Sequence, residues 1–432
     1  MTWLTPTIGD VCLPTLQGDP ARNGRKSFRY VDIAGIDRDS KSISRADDVP
    51  SDDAPSRARK IIEASDVLVS TVRPNLNAIA LVPEGLDGEI ASTGFTVLRA
   101  NRKLLDPKYL FYWAQTKEFV DFLTANSTGA SYPAVTDGVV KRARILLATP
   151  REQSRIVELL DEAARLRRLR RDADAKAVRI LPALFVKMFG DPASNPMGWS
   201  EKQLSQVIKS VDAGWSASGA GRPREGIEYG VLKVSAVTSG VFRPKENKAV
   251  IDTEIDRPLI IPRRGDLLFS RANTRELVAA SCIVEADYQN LFLPDKLWRV
   301  VPIPGEASGV FLKELFWQDG IRDKFRAASS GSSGSMLNIS KEAMLRTTAP
   351  IPPFHLQKHF ESLAWSVVAA LNRAKDAAEG IDSLWSNLLQ RAFSGQLTVR
   401  WREAHMKELL VEMAQQAHAL NLPLPKELEA LQ

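Results

Sequence analysis

Ser131-Tyr132-Pro133-Ala134-Val135-Thr136 returns later in the chain as Ser335-Met336-Leu337-Asn338-Ile339-Ser340. The offset is 204 residues, and it also pairs Gln153 with Gln357, Ile156 with Phe360 and Phe189 with Phe393. A repeat of this length is domain-sized and not a solenoid period. It predicts two similar domains in one chain. Earlier in the chain the offset shrinks. Asp66-Val67-Leu68-Val69-Ser70 matches Asp266-Leu267-Leu268-Phe269-Ser270 at 200, as Val97-Leu98-Arg99 matches Leu297-Trp298-Arg299. Trp3-Leu4 matches Trp199-Ser200 loosely at 196. Ordered slips of this kind are what small loop insertions leave in a duplicated domain.

From Glu152 to about Met188 the pattern is helical. With Ile156 at heptad position a, the a and d sites are Ile156, Leu159, Ala163, Leu166, Arg170, Ala173, Ala177, Ile180, Leu184 and Lys187, all apolar but Arg170 and Lys187. Shifted by 204, the frame gives Phe360, Leu363, Val367, Ala370, Ala374, Ala377, Ile381, Leu384, Leu388 and Arg391, all apolar but Arg391. Sustained a/d spacing predicts a coiled-coil seam between two long helices. Each would be roughly 55 Å long at ~1.5 Å per residue. Pro182 predicts a kink or break near Arg179–Leu181, and Gly380 a softer point in the second helix. Gly190-Asp191-Pro192 and Gly395 mark the two stops.

Residues 1–150 and about 197–352 read as globular. Short apolar runs such as Asp66–Val72 and Asp266–Ser270 alternate with turn residues, as strands do. Each half then carries one helical stretch, Pro107–Asn126 or Gly309–Ala328, and a Gly/Ser loop, Ser127–Ser131 or Ser329–Ser335. Such loops serve either as flexible connections or as amides and hydroxyls laid on phosphates.

Composition bounds the function. The chain has 432 residues, 44% hydrophobic and 25% charged, which suits a folded core in about three domains. No apolar run reaches eighteen residues, so no membrane span is expected. The first ten residues lack a basic region followed by an apolar stretch, and Cys12 and Cys282 occupy non-equivalent places. The expectation is a reducing cytoplasm. Four histidines and two cysteines show no metal-ligand spacing, so no metal is expected. The net charge is +6, and Arg165 to Arg171 reads Arg-Leu-Arg-Arg-Leu-Arg-Arg. That run is either a solvated helix face or a contact for phosphates or an acidic partner. No Gly-x-Gly-x-x-Gly follows a strand and no phosphate-loop lysine motif exists. Pro352-Pro353-Phe354 lacks the Asn or Asp that would make it an adenine-methyltransferase tetrad. No covalent chemistry is expected of this chain.

Several segments together resemble the specificity subunits of type I restriction-modification systems. They are Val67 to Asn75, Met188-Phe189-Gly190-Asp191-Pro192 with Asn195 to Trp199, Pro352-Pro353 with Gln357, and Ala392 to Leu397. The resemblance covers residues 1 to about 403. It implies an α+β chain in which two mixed α/β target-recognition domains are separated by two long antiparallel coiled-coil helices with an internal pseudo-two-fold. The expected segments are recognition domain 1 over 1–150, spacer helix 1 over 151–190, recognition domain 2 over 191–352, spacer helix 2 over 353–400 and a helical tail over 401–432. Double-stranded DNA, two adenine-N6 methyltransferase subunits and a restriction or translocase subunit are the implied partners. S-adenosylmethionine is expected on the methyltransferase, with no cofactor on this chain. A self-sufficient DNA-modifying enzyme and a coiled-coil scaffold that binds only proteins are the competing readings.

Arginine suits guanine and asparagine suits adenine in the major groove. The candidate base readers are therefore Arg73, Asn75, Asn77, Arg271, Asn273 and Arg275. Ser131, Tyr132, Lys141, Arg142, Arg144, Ser335 and Lys341 are candidates for phosphate. Ile156, Leu159, Leu166, Phe360, Leu363 and Val367 are the candidate docking positions on the helices. Arg402–Leu420 reads as one more amphipathic helix, packed on the core or on a partner.

Overall fold

The computed structural model describes residues 3–22, 24–250, 255, 257–331 and 336–423, apart from the side chains of 375–379. The chain is α+β and divides into two compact units. Unit 1 comprises residues 1–172 and 376–432, and unit 2 comprises residues 173–375. The division cuts both long helices instead of following the linear order of segments.

Each unit holds the same four-stranded sheet. In unit 1 the order is Cys12–Leu13, Phe95–Ala100, Val67–Ser70, Ile79–Leu81. In unit 2 it is Ile208–Ala213, Leu297–Pro302, Leu267–Ser270, Ser281–Ile283. We call Val67–Ser70 β1, Phe95–Ala100 β2, Leu267–Ser270 β3 and Leu297–Pro302 β4. All four residues of β1 and of β3 are buried, which is why both read as unbroken apolar runs. The register corrects one sequence match. Leu68 pairs with Val97, but Leu268 pairs with Arg299, so β4 follows β2 at an offset of 202, not 200. A two-residue difference keeps every side chain on its face of the sheet. The loose match at 196 holds in three dimensions: Leu4 bridges Leu147, and Ser200 bridges Ile351.

A buried glutamine ties each sheet-and-helix layer to the start of a long helix. Gln153 Nε2 donates to Leu104 O and Ala148 O at 2.8 Å, and its Oε1 accepts from Asp106 N at 2.7 Å. Gln357 Nε2 donates to Glu306 O at 3.1 Å and Pro352 O at 2.8 Å, and its Oε1 accepts from Ser308 N at 3.0 Å. Three hydrogen bonds between a buried side-chain amide and the backbone make the side chain hard to replace.

The long helices are α1 (Pro150–Ala177), α2 (Ile180–Phe189) and α3 (Phe354–Phe393). The first helix breaks at Val178–Arg179, overlapping the predicted span at Arg179. Pro182 then sits in the first turn of α2, where a missing N–H leaves no bond unmade. The second helix runs on through Gly380. In unit 1, Ile156 and Leu160 of α1 bury against Leu389, Ala392 and Phe393 of α3. Arg167 pairs with Asp382 at 2.6 Å and lies 4.8 Å from the Trp385 ring centroid. That pairing is antiparallel. In unit 2, Phe185 and Phe189 of α2 pack on Phe360 of α3 and on Phe311. The simple heptad seam fails in the middle of α1. Leu166 is 54% exposed, because Arg167 takes the inward place and satisfies its charge with Asp382.

The tail folds onto unit 1 as α4 (Val399–Ala404) and α5 (Met406–Ala419). Leu409, Met413 and Ala417 are buried, the latter two in the unit 1 core with Trp3, Tyr109 and Phe393. Among the described residues no helix is long and apolar enough to cross a membrane, and no cluster of potential metal ligands exists.

Candidate nucleic-acid interface

The end of β1 and the Gly/Ser loop, remote in sequence, meet in unit 1. Val72 bridges Ala134, Val135 N donates to Thr71 O at 2.9 Å, and Arg73 N donates to Pro133 O at 2.7 Å. Unit 2 repeats the construction. Ala272 pairs with Asn338, Asn273 with Leu337, and Ile339 N donates to Arg271 O at 2.9 Å. Within the loop Thr128 bridges Ala134, whereas Ser330 bridges Asn338. The loop of unit 2 is therefore two residues longer, which carries the offset from 202 to 204.

The side chains on this frame differ between the units. Arg73 is exposed and held at φ +49°, a left-handed conformation unusual for a non-glycine residue. Its guanidinium lies 4.7 Å from the ring centroid of Tyr132, which is 70% exposed. Asn75 and Ser131 are exposed beside them. Asn77 turns the other way. It closes the turn at φ +47°, its carbonyl accepts from Lys41 Nζ at 2.6 Å, and its Oδ1 is buried. In unit 2, Arg271 is half-buried and 3.9 Å from Asp295, which also accepts from Ser216 Oγ. Asn273 Oδ1 accepts from Thr274 N at 2.8 Å, and Arg275 is exposed.

The cationic candidates lie on the segments that follow the loops. Lys141 is half-buried and Arg142 exposed in the short helix Asp137–Arg142, whose start is anchored by Lys60 Nζ, 2.5 Å from Asp137. Arg144 is exposed and donates to Thr5 O at 3.1 Å. Lys341 is exposed, with its ammonium 6.0 Å from the Trp298 ring centroid. Ser335 lies outside the described residues. Of the docking candidates, Ile156 and Phe360 are fully buried within their own units and offer no surface. Leu159, Leu363 and Val367 are half-buried, and Leu166 stands out into solvent.

Sequence reasoning missed a cationic cradle in unit 1. The hairpin that joins Ile36–Asp37 to Ser42–Ile43 lies against α1, and Arg171 Nη1 donates to Asp39 O at 2.7 Å. Arg38, Lys41, Arg167, Arg171 and Asp382 line a cavity of about 280 Å³ there. Burial and the neighbouring arginines push the Lys41 ammonium down to about 8, against the pull of Asp39. Unit 2 has a cavity in the corresponding place, about 460 Å³, but Leu181, Val241, Trp317, Trp365 and Leu371 make it apolar. The charge run Arg165 to Arg171 was the only sequence signal for the cradle.

No family model matches the chain. It is 29% identical over 251 residues to the specificity subunit of the type I restriction enzyme EcoEI of Escherichia coli, spanning 57% of this chain and 41% of that one. It is 26% identical over 141 residues to the HindI specificity subunit of Haemophilus influenzae, spanning 32% and 31%. The matched stretch is thus less than half the length of either curated relative. A solved chain described in terms of complex assembly and conformational transition of the type I R-M system superposes with a TM-score of 0.61 at 26% identity, over 92% of this chain and 98% of that one. With the duplicated sheet, the paired glutamine clamps and the broken first helix, these likenesses show a chain similar in sequence and fold to the specificity subunits of type I restriction-modification systems.

Proposed function

We propose that the chain is the DNA-recognition subunit of a type I restriction-modification system. Each unit presents one recognition turn and its Gly/Ser loop to one half of an asymmetric, interrupted DNA site. The observation that carries this reading is a single backbone frame, built twice, that displays different side chains: Arg73 and Tyr132 against Asn273 and Met336. A shared frame with divergent polar groups is what two different half-sites require, since base identity is read by side chains and not by backbone. Specificity subunits of other type I systems support it by sequence likeness.

In this reading the chain is non-catalytic and works in the cytoplasm. Two adenine-N6 methyltransferase subunits dock on the exposed parts of the long helices, bring S-adenosylmethionine, and connect to a restriction or translocase subunit. Arg73, Asn75 and Arg275, which are exposed, and the half-buried Arg271 are the proposed base readers. Lys141, Arg142, Arg144 and Lys341 steady the backbone. Mapping methylated adenines in DNA from cells carrying the chain and its methyltransferase partner tests the reading. One bipartite motif with two unlike halves is expected. Methylation by the pure chain with S-adenosylmethionine would make it an enzyme, and absence of any selective DNA binding in the complex would make it a protein scaffold.

A further inference from the structure

The two Gly/Ser loops carry a large side chain into solvent at the same place. Thr128 and Ala134 exchange two backbone hydrogen bonds of 2.9 Å, and Ser330 and Asn338 exchange two of 2.8 and 2.9 Å. A Cβ on Gly129 would lie 2.9 Å from Tyr132 O, and one on Gly331 would lie 2.5 Å from Met336 O. The same glycine-to-carbonyl approach therefore positions Tyr132 and Met336. Tyr132 is 70% exposed and Met336 is 48% exposed. A single exposed apolar residue needs no explanation. Two at equivalent positions, on loops whose length and neighbouring residues have diverged, point to a task common to both units.

The surroundings say which task. Tyr132 is adjacent to Arg73, whose guanidinium covers part of its ring, and Met336 precedes Leu337, the pairing partner of Asn273. Apolar side chains delivered by a DNA-facing loop insert between base steps and unstack them, and aromatic rings stack on bases whatever their sequence. An enzyme that modifies a base must first take it out of the stack, which costs least where stacking is already broken. We propose that Tyr132 and Met336 are a pair of wedges, one for each half-site, that unstack the duplex beside the base to be modified. Arg73 steadies the tyrosine ring for this task. The inference rests on the DNA-recognition reading above and replaces a phosphate contact by Tyr132 with a stacking one.

The test uses the full chain in complex with its methyltransferase partner, and duplexes of the mapped site carrying 2-aminopurine in one half-site or the other. With wild-type protein, fluorescence rises on binding at both half-sites. Tyr132→Ala removes the rise at one half-site only and weakens binding about tenfold, the scale of one lost stacking contact. Met336→Ala removes the rise at the other half-site only. Tyr132→Phe and Met336→Leu keep it. Selective binding without any fluorescence rise overturns the wedge alone, as does a Tyr132→Ala effect spread equally over both half-sites. A Tyr132→Phe variant as defective as Tyr132→Ala assigns the residue to a hydroxyl contact and also overturns it. Wild-type protein that shows no preference for the bipartite duplex overturns both the wedge and the reading beneath it.

Discussion

Replacing Glu152 by leucine tests what holds the tail on unit 1. The Glu152 side chain is fully buried. It accepts from Trp3 Nε1 at 2.9 Å, Thr398 Oγ1 at 2.6 Å and Arg402 Nε at 2.7 Å. The Arg402 side chain is itself only 12% exposed, lies 4.9 Å from the Trp3 ring centroid and donates to Gly395 O at 2.6 Å. Leucine suits the position sterically, since Leu356 occupies it in the other copy of the repeat. What it cannot do is answer the guanidinium. Breaking a buried ion pair from one side costs about 3–5 kcal/mol, and each stranded neutral donor adds ~1 kcal/mol. The Arg402 bond to Gly395 and the added apolar burial offset part of that. The net loss is on the order of 3 kcal/mol, more than a hundredfold in the opening equilibrium of the tail. Native-state hydrogen exchange reads this directly, as faster exchange in α5 with β3 unchanged. Removing both partners in Glu152→Leu/Arg402→Met should restore most of the protection, because a well-packed apolar pair commonly matches a buried ionic one. Exchange in α5 within about twofold of wild type would refute the argument, as would a double variant no better protected than the single.

Gln357→Ala leaves Ser308 N, Glu306 O and Pro352 O without their shared partner and should destabilise unit 2 by about 2–4 kcal/mol, seen as a lower urea midpoint for the unit 2 transition. Lys41 supplies a pH dependence. Its folded ammonium titrates near 8 against 10.5 in the ordinary state, so between those values the unfolded chain binds more protons and stability rises with pH. Lys41→Met should flatten that rise in thermal melts between pH 8 and 10.5, and an unchanged slope would mean the ammonium is not desolvated. In the proposed assembly, four residues inserted into each long helix add ~6 Å of length. The mapped motif should keep both halves and lengthen its unread spacer by nearly two base pairs, whereas altered half-sites would sink the idea of a ruler.

The duplication was legible because hydrophobic cores and backbone clamps tolerate few alternatives. Gln153 and Gln357 stood out as a pair before their matching sets of three hydrogen bonds were visible, and Trp3 proved a true counterpart of Trp199 despite a weak match. The two-residue error at Val97–Arg99 arose because both strands contain two apolar residues followed by arginine and a slip of two preserves burial. The heptad reading of the first helix missed its centre because periodicity scores leucine as inward and arginine as outward. Arg167 reverses that through Asp382 and Trp385, which lie some two hundred residues away. The site was legible only as segments. That Arg73 leans on Tyr132 while Asn77 turns inward depends on left-handed turns fixed by partners remote in sequence. The cradle of Arg38, Lys41 and Arg171 depends on a hairpin docking that no local pattern encodes.

The division of the chain has a consequence for synthesis. Unit 2 is one uninterrupted stretch, residues 173–375, and can complete its core as soon as that stretch has left the ribosome. Unit 1 cannot. Its first 172 residues wait through about two hundred more for Trp385, Leu389, Phe393 and Met413 to close the core around Trp3, Tyr109 and Ile156. Domains generally fold as they emerge, first part first. Here the order is inverted, and the earlier-made half carries exposed apolar surface until the last helix arrives. A chain truncated after residue 375 and released should therefore present a folded second half beside an unfinished first one, the species that chaperones would be expected to hold.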